Sequence, residues 1–234
     1  MLKNFLHKRR SITAQTSILI TLTIAVALVI SALLFYYKTD KELTTHYREQ
    51  MFQESNTTMN VLSDNIDTID SIYRLLVSSD TIYSFMASSS RTPSDYIAAE
   101  KQMTSLLILN NLWEKSYLES VYVYTNYNKR FYVSKNDNMI KREENAAVYR
   151  NLTEPSPTLT LHALDGSDDL YFVRTIYNLS SGDVLGTMIV TLNQKSWVNM
   201  LTQNISKGWH ILMYNNSFET ISDYNYDVTS KDRI

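Results

Sequence analysis

Residues Asp169–Asn193 read DLYFVRTIYNLSSGDVLGTMIVTLN, and this stretch decides the fold class. Two runs rich in β-branched and aromatic residues, Leu170–Asn178 and Val184–Asn193, flank Ser180-Ser-Gly-Asp183, a tight-turn signal. That pattern predicts two antiparallel strands. Upstream, Thr158–Leu164 reads as a third strand, and Pro155 and Pro157 end a short polar helix or loop over Glu143–Leu152.

Further upstream, Glu119–Thr125 (ESVYVYT) alternates, with Val121 and Val123 on one face and Tyr122 and Tyr124 on the other. Asn126–Asn128 predicts a turn, and Arg130–Ser134 returns as the hairpin partner. A helix is expected from Pro93 to about Lys115, with Thr92 as N-cap, Pro93 in the first helical position and Asp95 in the first turn. The polar break Ser88–Pro93 separates it from an earlier long helix, Thr39 to about Ser79, which lacks Gly and Pro.

In that long helix Met59, Leu62, Ile66, Ile69, Tyr73 and Leu76 fall at alternating spacings of three and four. The seam fits either a homodimeric coiled coil or a stripe packed on the domain's own sheet. Downstream, Gln194–Gln203 reads as a helix with Trp197, Met200 and Leu201 on one side. Trp209–Tyr214 and Phe218–Ser222 form a hairpin around Asn215-Asn216-Ser217, and residues 223–234 form a polar tail. Helices followed by antiparallel strands define an α+β domain: an antiparallel sheet flanked by helices.

The N-terminus adds a membrane element. Lys3, Lys8, Arg9 and Arg10 form a basic head, and Ser11 to Tyr37 carries no charge. About 20 apolar residues span a bilayer core as a helix. The expected organisation is a cytoplasmic head (1–10), a transmembrane helix (11–37), an extracytoplasmic domain (38–222) and an incomplete or flexible tail (223–234). A cleaved signal peptide has a shorter apolar region and small residues at its cleavage site. Leu-Leu-Phe-Tyr-Tyr-Lys at Leu33–Lys38 fits that poorly.

Composition narrows the function. With no Cys, the fold has no disulfide, no thiolate metal site and no cysteine nucleophile. Beyond the basic head the chain is mildly acidic, about −6, so nucleic-acid binding is not expected. Five N-x-S/T sequons, at Asn56, Asn151, Asn178, Asn204 and Asn215, match by chance composition as well as by purpose. Seventeen Tyr against seven Phe suits half-buried strands and polar pocket walls.

Three segments carry a resemblance: Glu119–Ser134 (ESVYVYTNYNKRFYVS), Asp169–Asn193, and Gly208–Ser222 (GWHILMYNNSFETIS). With a membrane helix feeding a long external helix, they resemble the Cache-type, PAS-like sensor modules of bacterial receptors. Sensor histidine kinases of two-component systems and membrane-anchored AraC-type transcription regulators carry such modules. The resemblance implies an extracytoplasmic ligand-sensing region of a signal-transduction receptor. Two features of such families are missing from this sequence: a second apolar span with an output domain, and the Arg-x-Trp plus Tyr signature of the amino-acid-binding subfamily. The expectation is therefore a chain truncated before its output domain, with no ligand class assigned.

Catalytic motifs are lacking. Phosphate-cradling glycine loops, H-E-x-x-H and G-x-S-x-G do not occur. His7, His46, His162 and His210 are scattered, and Asp165, Asp168 and Asp169 around Gly166 lack the distal Glu of a calcium loop. No catalytic residue, metal or cofactor is expected. Candidate ligand-binding residues are Arg174, Tyr122, Tyr124, Tyr132 and Trp113. Arg174 sits mid-strand on the face of Leu170, Phe172 and Ile176, where a charge needs a partner or water. It reads either as an anion anchor or as half of an ion pair. The aromatics read either as pocket lining or as core. The expected partners are a small-molecule ligand, the lipid bilayer and a second copy through the Met59–Leu76 seam. The competing readings are a single-pass membrane-anchored enzyme with an external catalytic domain and a membrane-anchored scaffold.

Overall fold

The structure is a computed structural model. It describes the backbone of residues 2–127, 129–152, 154–164, 166–203, 205, 210–214 and 220–225, and the side chains of that set from residue 16 to residue 205. The chain divides into two compact units, Met1–Gln53 and Glu54–Ile234.

The described residues of the first unit all belong to α1 (Leu2–Ser78). Within it Ile18–Tyr37 is uncharged and solvent-exposed, long and apolar enough to cross a membrane as a helix. Two of its hydroxyls bond back to the helix's own carbonyls. Thr21 donates to the Ser17 carbonyl at 2.9 Å and Thr23 to that of Leu19 at 2.8 Å. A hydroxyl in a hydrocarbon environment needs such an internal acceptor.

The second unit is an α+β domain with helices flanking an antiparallel sheet. Its elements are the end of α1, then α2 (Asp80–Ala87), α3 (Pro93–Leu109), β1 (Leu118–Thr125), β2 (Arg130–Ser134), α4 (Met139–Asn151), β3 (Thr160–Ala163), β4 (Asp169–Tyr177), β5 (Val184–Asn193) and α5 (Gln194–Thr202). β6 (His210–Tyr214) and β7 (Thr220–Asn225) form a separate antiparallel pair. The main sheet is antiparallel throughout, in the order β2-β1-β5-β4-β3. The 169–193 stretch supplies two adjacent strands of it, and β5 pairs with β1 so that the first and last strands meet at the centre.

Alternation sorts side chains onto two faces, and both are covered. One face packs under α1, α2, α3 and α5: Val121, Val123, Phe172, Ile176, Met188 and Val190 meet Ile69, Leu76, Phe85, Met103 and Trp197. The other lies under α4, where Tyr122, Tyr124, Tyr171, Val173 and Ile189 meet Val148. β5 crosses β1 so closely that a Cβ on Gly186 would be driven into the Tyr124 carbonyl oxygen. Only glycine tolerates that approach.

Several expectations need correction. The helix predicted to reach Lys115 stops at Leu109, because Asn111 adopts φ 55°. Leu112 N–H then donates to the Leu107 carbonyl at 2.9 Å and Asn111 N–H to that of Ile108 at 2.9 Å. This is a Schellman ending with Asn in the left-handed position. A separate helix, α2, occupies 80–87, a stretch given no element from sequence. The first residues of the tail expected from 223 are strand, since β7 runs to Asn225, and the rest of that expected tail, 226–234, lies outside the described residues. The proposed dimer seam is largely consumed within the domain: Ile69 and Leu76 are each 1% exposed in the core, whereas Met59 is 60% exposed. Leu62 and Tyr73 pack partly buried against the same core. The stripe therefore fits the packing alternative, and Ile69 and Leu76 are not available to a second copy. Asn128, Asp165, Trp209 and the expected turn at 215–217 lie outside the described residues.

Candidate ligand-binding face

The α4 side of the sheet concentrates polar and aromatic groups in a buried setting. β1, β2, β4 and β5 each contribute alternate residues. Tyr122 is paired with Tyr132 on one side and Ile189 on the other, and Tyr171 pairs with Thr191. Four tyrosine rings form a ladder. Tyr132 stacks on Tyr122 at 4.9 Å, Tyr122 on Tyr124 at 6.3 Å, and Tyr124 on Tyr149 of α4 at 4.3 Å, with interplanar angles of 10°, 18° and 9°. Of these, Tyr122 and Tyr132 are direct cross-strand neighbours, a pairing that stabilises a sheet. The Tyr122 hydroxyl is buried without a hydrogen-bond partner, and burial pushes its pKa up to about 12, helped by Asp137, Tyr132 and Tyr124.

α4 is held onto this face by polar contacts. Its start is set by Asn138, whose side chain accepts from the Lys141 N–H at 2.8 Å. Asn145, fully buried, accepts from the Thr191 hydroxyl at 2.9 Å and donates to the Lys141 carbonyl at 2.8 Å. The Tyr171 hydroxyl bonds Glu144 at 3.2 Å and Ser167 at 2.9 Å. Lys141 makes an ion pair with Asp169 of β4, and its ammonium lies 3.6 Å from Glu144.

Asp169 is 1% exposed, and its Oδ1 is buried with no partner. Burial holds its carboxyl above the usual carboxylate range, despite Lys141. Burial also acts to lower the Lys141 pKa, but the hydrogen bond and charge of Asp169, with Glu144 and Glu119, outweigh it and raise the value. At the rim, Arg142 pairs with Asp137, which accepts from the Tyr132 hydroxyl at 3.0 Å.

The structure gathers three of the five sequence candidates here: Tyr122, Tyr124 and Tyr132. It separates the other two from them. Arg174 lies across the sheet, ion-paired with Asp70 of α1, its guanidinium 3.7 Å from the Tyr73 ring centroid. Trp113 packs against the larger core, with the Lys135 ammonium 5.6 Å from its ring. Sequence reasoning missed Lys141, Glu144, Asn145, Tyr149 and Tyr171. The parity of Asp169, Tyr171 and Val173 within β4, set by its register on β5, carried the missing signal.

Other polar groups serve the fold. His162 is half-buried beside the Thr160 hydroxyl at 3.0 Å, and burial lowers its pKa. A cleft of about 310 Å³ lies beside α2 and the start of α3, lined by Ser84, Phe85, Ser88, Arg91 and Asp95. Its cation is spent on α2's last carbonyls: Arg91 donates to Phe85 O and, at 2.7 Å, to Met86 O. Among the described residues no group of three or more His, Asp or Glu is placed to hold a metal ion.

No family model and no curated protein matches the chain. Among solved structures, it is similar to the sensory domain of the Campylobacter jejuni chemoreceptor Tlp3 with isoleucine bound, at 15% identity and a TM-score of 0.46, covering 74% of this chain and 69% of that one. The ligand-binding domain of the same receptor in complex with L-norvaline gives 15% identity and a TM-score of 0.46, covering 74% and 67%. A further crystal structure of that sensory domain gives 15% identity and 0.47, covering 74% and 70%. No residue role and no ligand is carried over from a likeness of this size.

Proposed function

We propose that this chain is the ligand-sensing region of a bacterial membrane signal-transduction receptor, its α+β domain lying outside the cytoplasm. One observation carries the reading: a single element, α1, holds an uncharged exposed stretch in its N-terminal half and core residues of the sheet domain at its end. Ile69, Ile72 and Leu76 of α1 are buried against the sheet. A helix that belongs to both is suited to couple them. A ligand that binds one arrangement of the domain better than another shifts its population, by no more than that difference in affinity.

The tyrosine face under α4 is the binding site in this reading. Aromatic walls, a few convergent polar groups and buried hydroxyls without partners are the chemistry of a small-molecule pocket. The receptor is of the histidine-kinase or AraC-regulator kind, and Arg174 serves as a link between β4 and α1 rather than as an anion anchor in the site.

The test is ligand screening with the full chain in lipid nanodiscs, followed by differential scanning and hydrogen exchange. A small molecule that raises the unfolding temperature and alters exchange at 139–151 supports the reading. Saturable binding that leaves 139–151 untouched and survives Tyr122→Phe and Tyr124→Phe would move the site elsewhere.

A further inference from the structure

The N-terminal turns of α4 place a cation from the covering helix against a carboxylate of the sheet. Asp169 is almost wholly buried, whereas Lys141 keeps 26% of its side chain exposed. Lys141 satisfies only one carboxylate oxygen, Oδ2, and Oδ1 is left buried and unpartnered. A buried carboxylate with half its acceptor capacity unused is an expensive arrangement unless something else takes it up. Around it stand Glu144, 3.6 Å from the Lys141 ammonium, and the Tyr171 hydroxyl bonded to Glu144. Tyr171 in turn belongs to the same buried cluster as Tyr122 and Tyr124.

The charge balance sets the ligand class. Asp169 and Glu144 present carboxylates, which attract a cation, and the end of the tyrosine ladder already holds one, the Arg142 guanidinium 5.2 Å from the Tyr132 ring centroid. Lys141 and Arg142 are each already paired with an Asp, and the other cations of the face, Arg130 and Arg150, act on Tyr124 at the far end of the ladder rather than on Asp169. At Asp169 itself an incoming anion meets two carboxylates and a lysine already paired. An ammonium finds three acceptors: both oxygens of Asp169 and one of Glu144.

We propose that Lys141 is a tethered cation standing in the ammonium subsite of this face. The ligand is a small molecule carrying an ammonium group, which takes over Asp169 and Glu144 and releases the start of α4. The inference rests on the tyrosine face being the ligand site and adds its ligand class and its built-in competitor. Displacement exchanges one ion pair for another, so no charge is left buried alone. The freed Lys141 moves to water, and α4 keeps its Asn145–Thr191 bond and the Tyr149–Tyr124 stack as a hinge.

The experiment uses the full chain in nanodiscs with primary alkylammonium ions from methyl to hexyl. Matched alcohols and matched carboxylates serve as neutral and anionic probes. Alkylammonium ions are expected to bind, the other two classes to bind at least about tenfold more weakly, and the amides of 139–145 to exchange faster in the complex. Removing the competitor with Lys141→Gln raises ammonium affinity at least about tenfold, since the competent fraction rises toward one. Asp169→Asn abolishes the preference for ammonium over alcohol.

Equal binding of alcohols and ammonium ions, or unchanged ammonium affinity in Lys141→Gln, overturns the proposal. Should Lys141→Gln fail to fold, the comparison of probe classes on the unaltered chain still decides. Binding of neutral or anionic probes that perturbs α4 would defeat the ammonium assignment while leaving the tyrosine face as the site. If no probe of any class changes exchange at 139–151 or tyrosine absorbance, both readings fall together.

Discussion

At the scale of single residues, the domain spends its buried polar groups unevenly. Tyr122 carries a phenol with no partner and a pKa pushed up to about 12 by burial. A pKa raised on folding means that the unfolded state loses its proton first. The stabilising contribution is complete below the unfolded value of about 10 and is lost as pH rises toward 12. Absorbance titration at alkaline pH should show tyrosines ionising in two groups, the later one only with unfolding. A Tyr122→Phe chain should lose one late-titrating phenol and be no less stable. Arg174 is a mixed case: its charge is matched to Asp70 and its guanidinium lies over Tyr73, while its Nε is buried without a partner. Arg174→Ala leaves Asp70 half-buried beside Arg74, 3.1 Å away, which moderates the loss. The expected destabilisation is about 2 kcal/mol in urea unfolding. A change within about 0.5 kcal/mol would show the pair to be ornamental. The sequence exposed Arg174 as a charge on an apolar face but not its partner, because Asp70 lies about a hundred residues away, as an ordinary charge on a helix.

At the scale of elements, period and punctuation were legible, and tertiary choices were not. β5 was read with its observed bounds because a run rich in Val, Ile and Thr is fenced by Gly-Asp and by an Asn that caps α5. Within α1, the three-and-four spacing located the stripe correctly but was silent on what covers it. A core and a partner helix demand the same periodicity. Burial settles it for Leu76: Leu76→Ala should cost about 2–5 kcal/mol and leave the oligomeric state of the full chain unchanged. Sedimentation in detergent checks the second half. Weaker association in Leu76→Ala at equal folded fraction would return the seam to a dimer. In β5, Gly186→Ala forces a Cβ onto the Tyr124 carbonyl, for about 1–3 kcal/mol of strain and a shift of β1 against β5. Denaturation and exchange at the β1 amides report both. The tyrosine face was half visible from sequence: strand alternation put Tyr122 and Tyr124 together. The α4 residues were invisible because Glu143–Leu152, read as a short polar helix or loop, gives no sign of which side meets the sheet, and the helix starts earlier than that, at Met139.

At the scale of the whole molecule, the sensing proposal depends on which side of the membrane the sheet domain occupies. The sequence supplies a physical asymmetry: four cations before the uncharged run and an acidic balance after it. Basic residues near a span's end are retained in the cytoplasm, which sends the opposite side across. The absence of Cys makes this directly measurable, since any introduced thiol is unique. Ser180 is exposed in the turn between β4 and β5, and its side chain holds no contact that the turn depends on. The turn is built instead on Asn178, which accepts from the Ser180 N–H at 2.8 Å. A Ser180→Cys chain in intact cells should react with a membrane-impermeant maleimide to the same extent before and after lysis. Reaction only after lysis would place the domain in the cytoplasm. The tyrosine face would then sample intracellular solutes, and α1 would no longer join an external event to an internal one. Full reaction in intact cells puts α4, Lys141 and Asp169 where extracellular amines reach them, the condition under which displacement of a tethered cation can act as a signal.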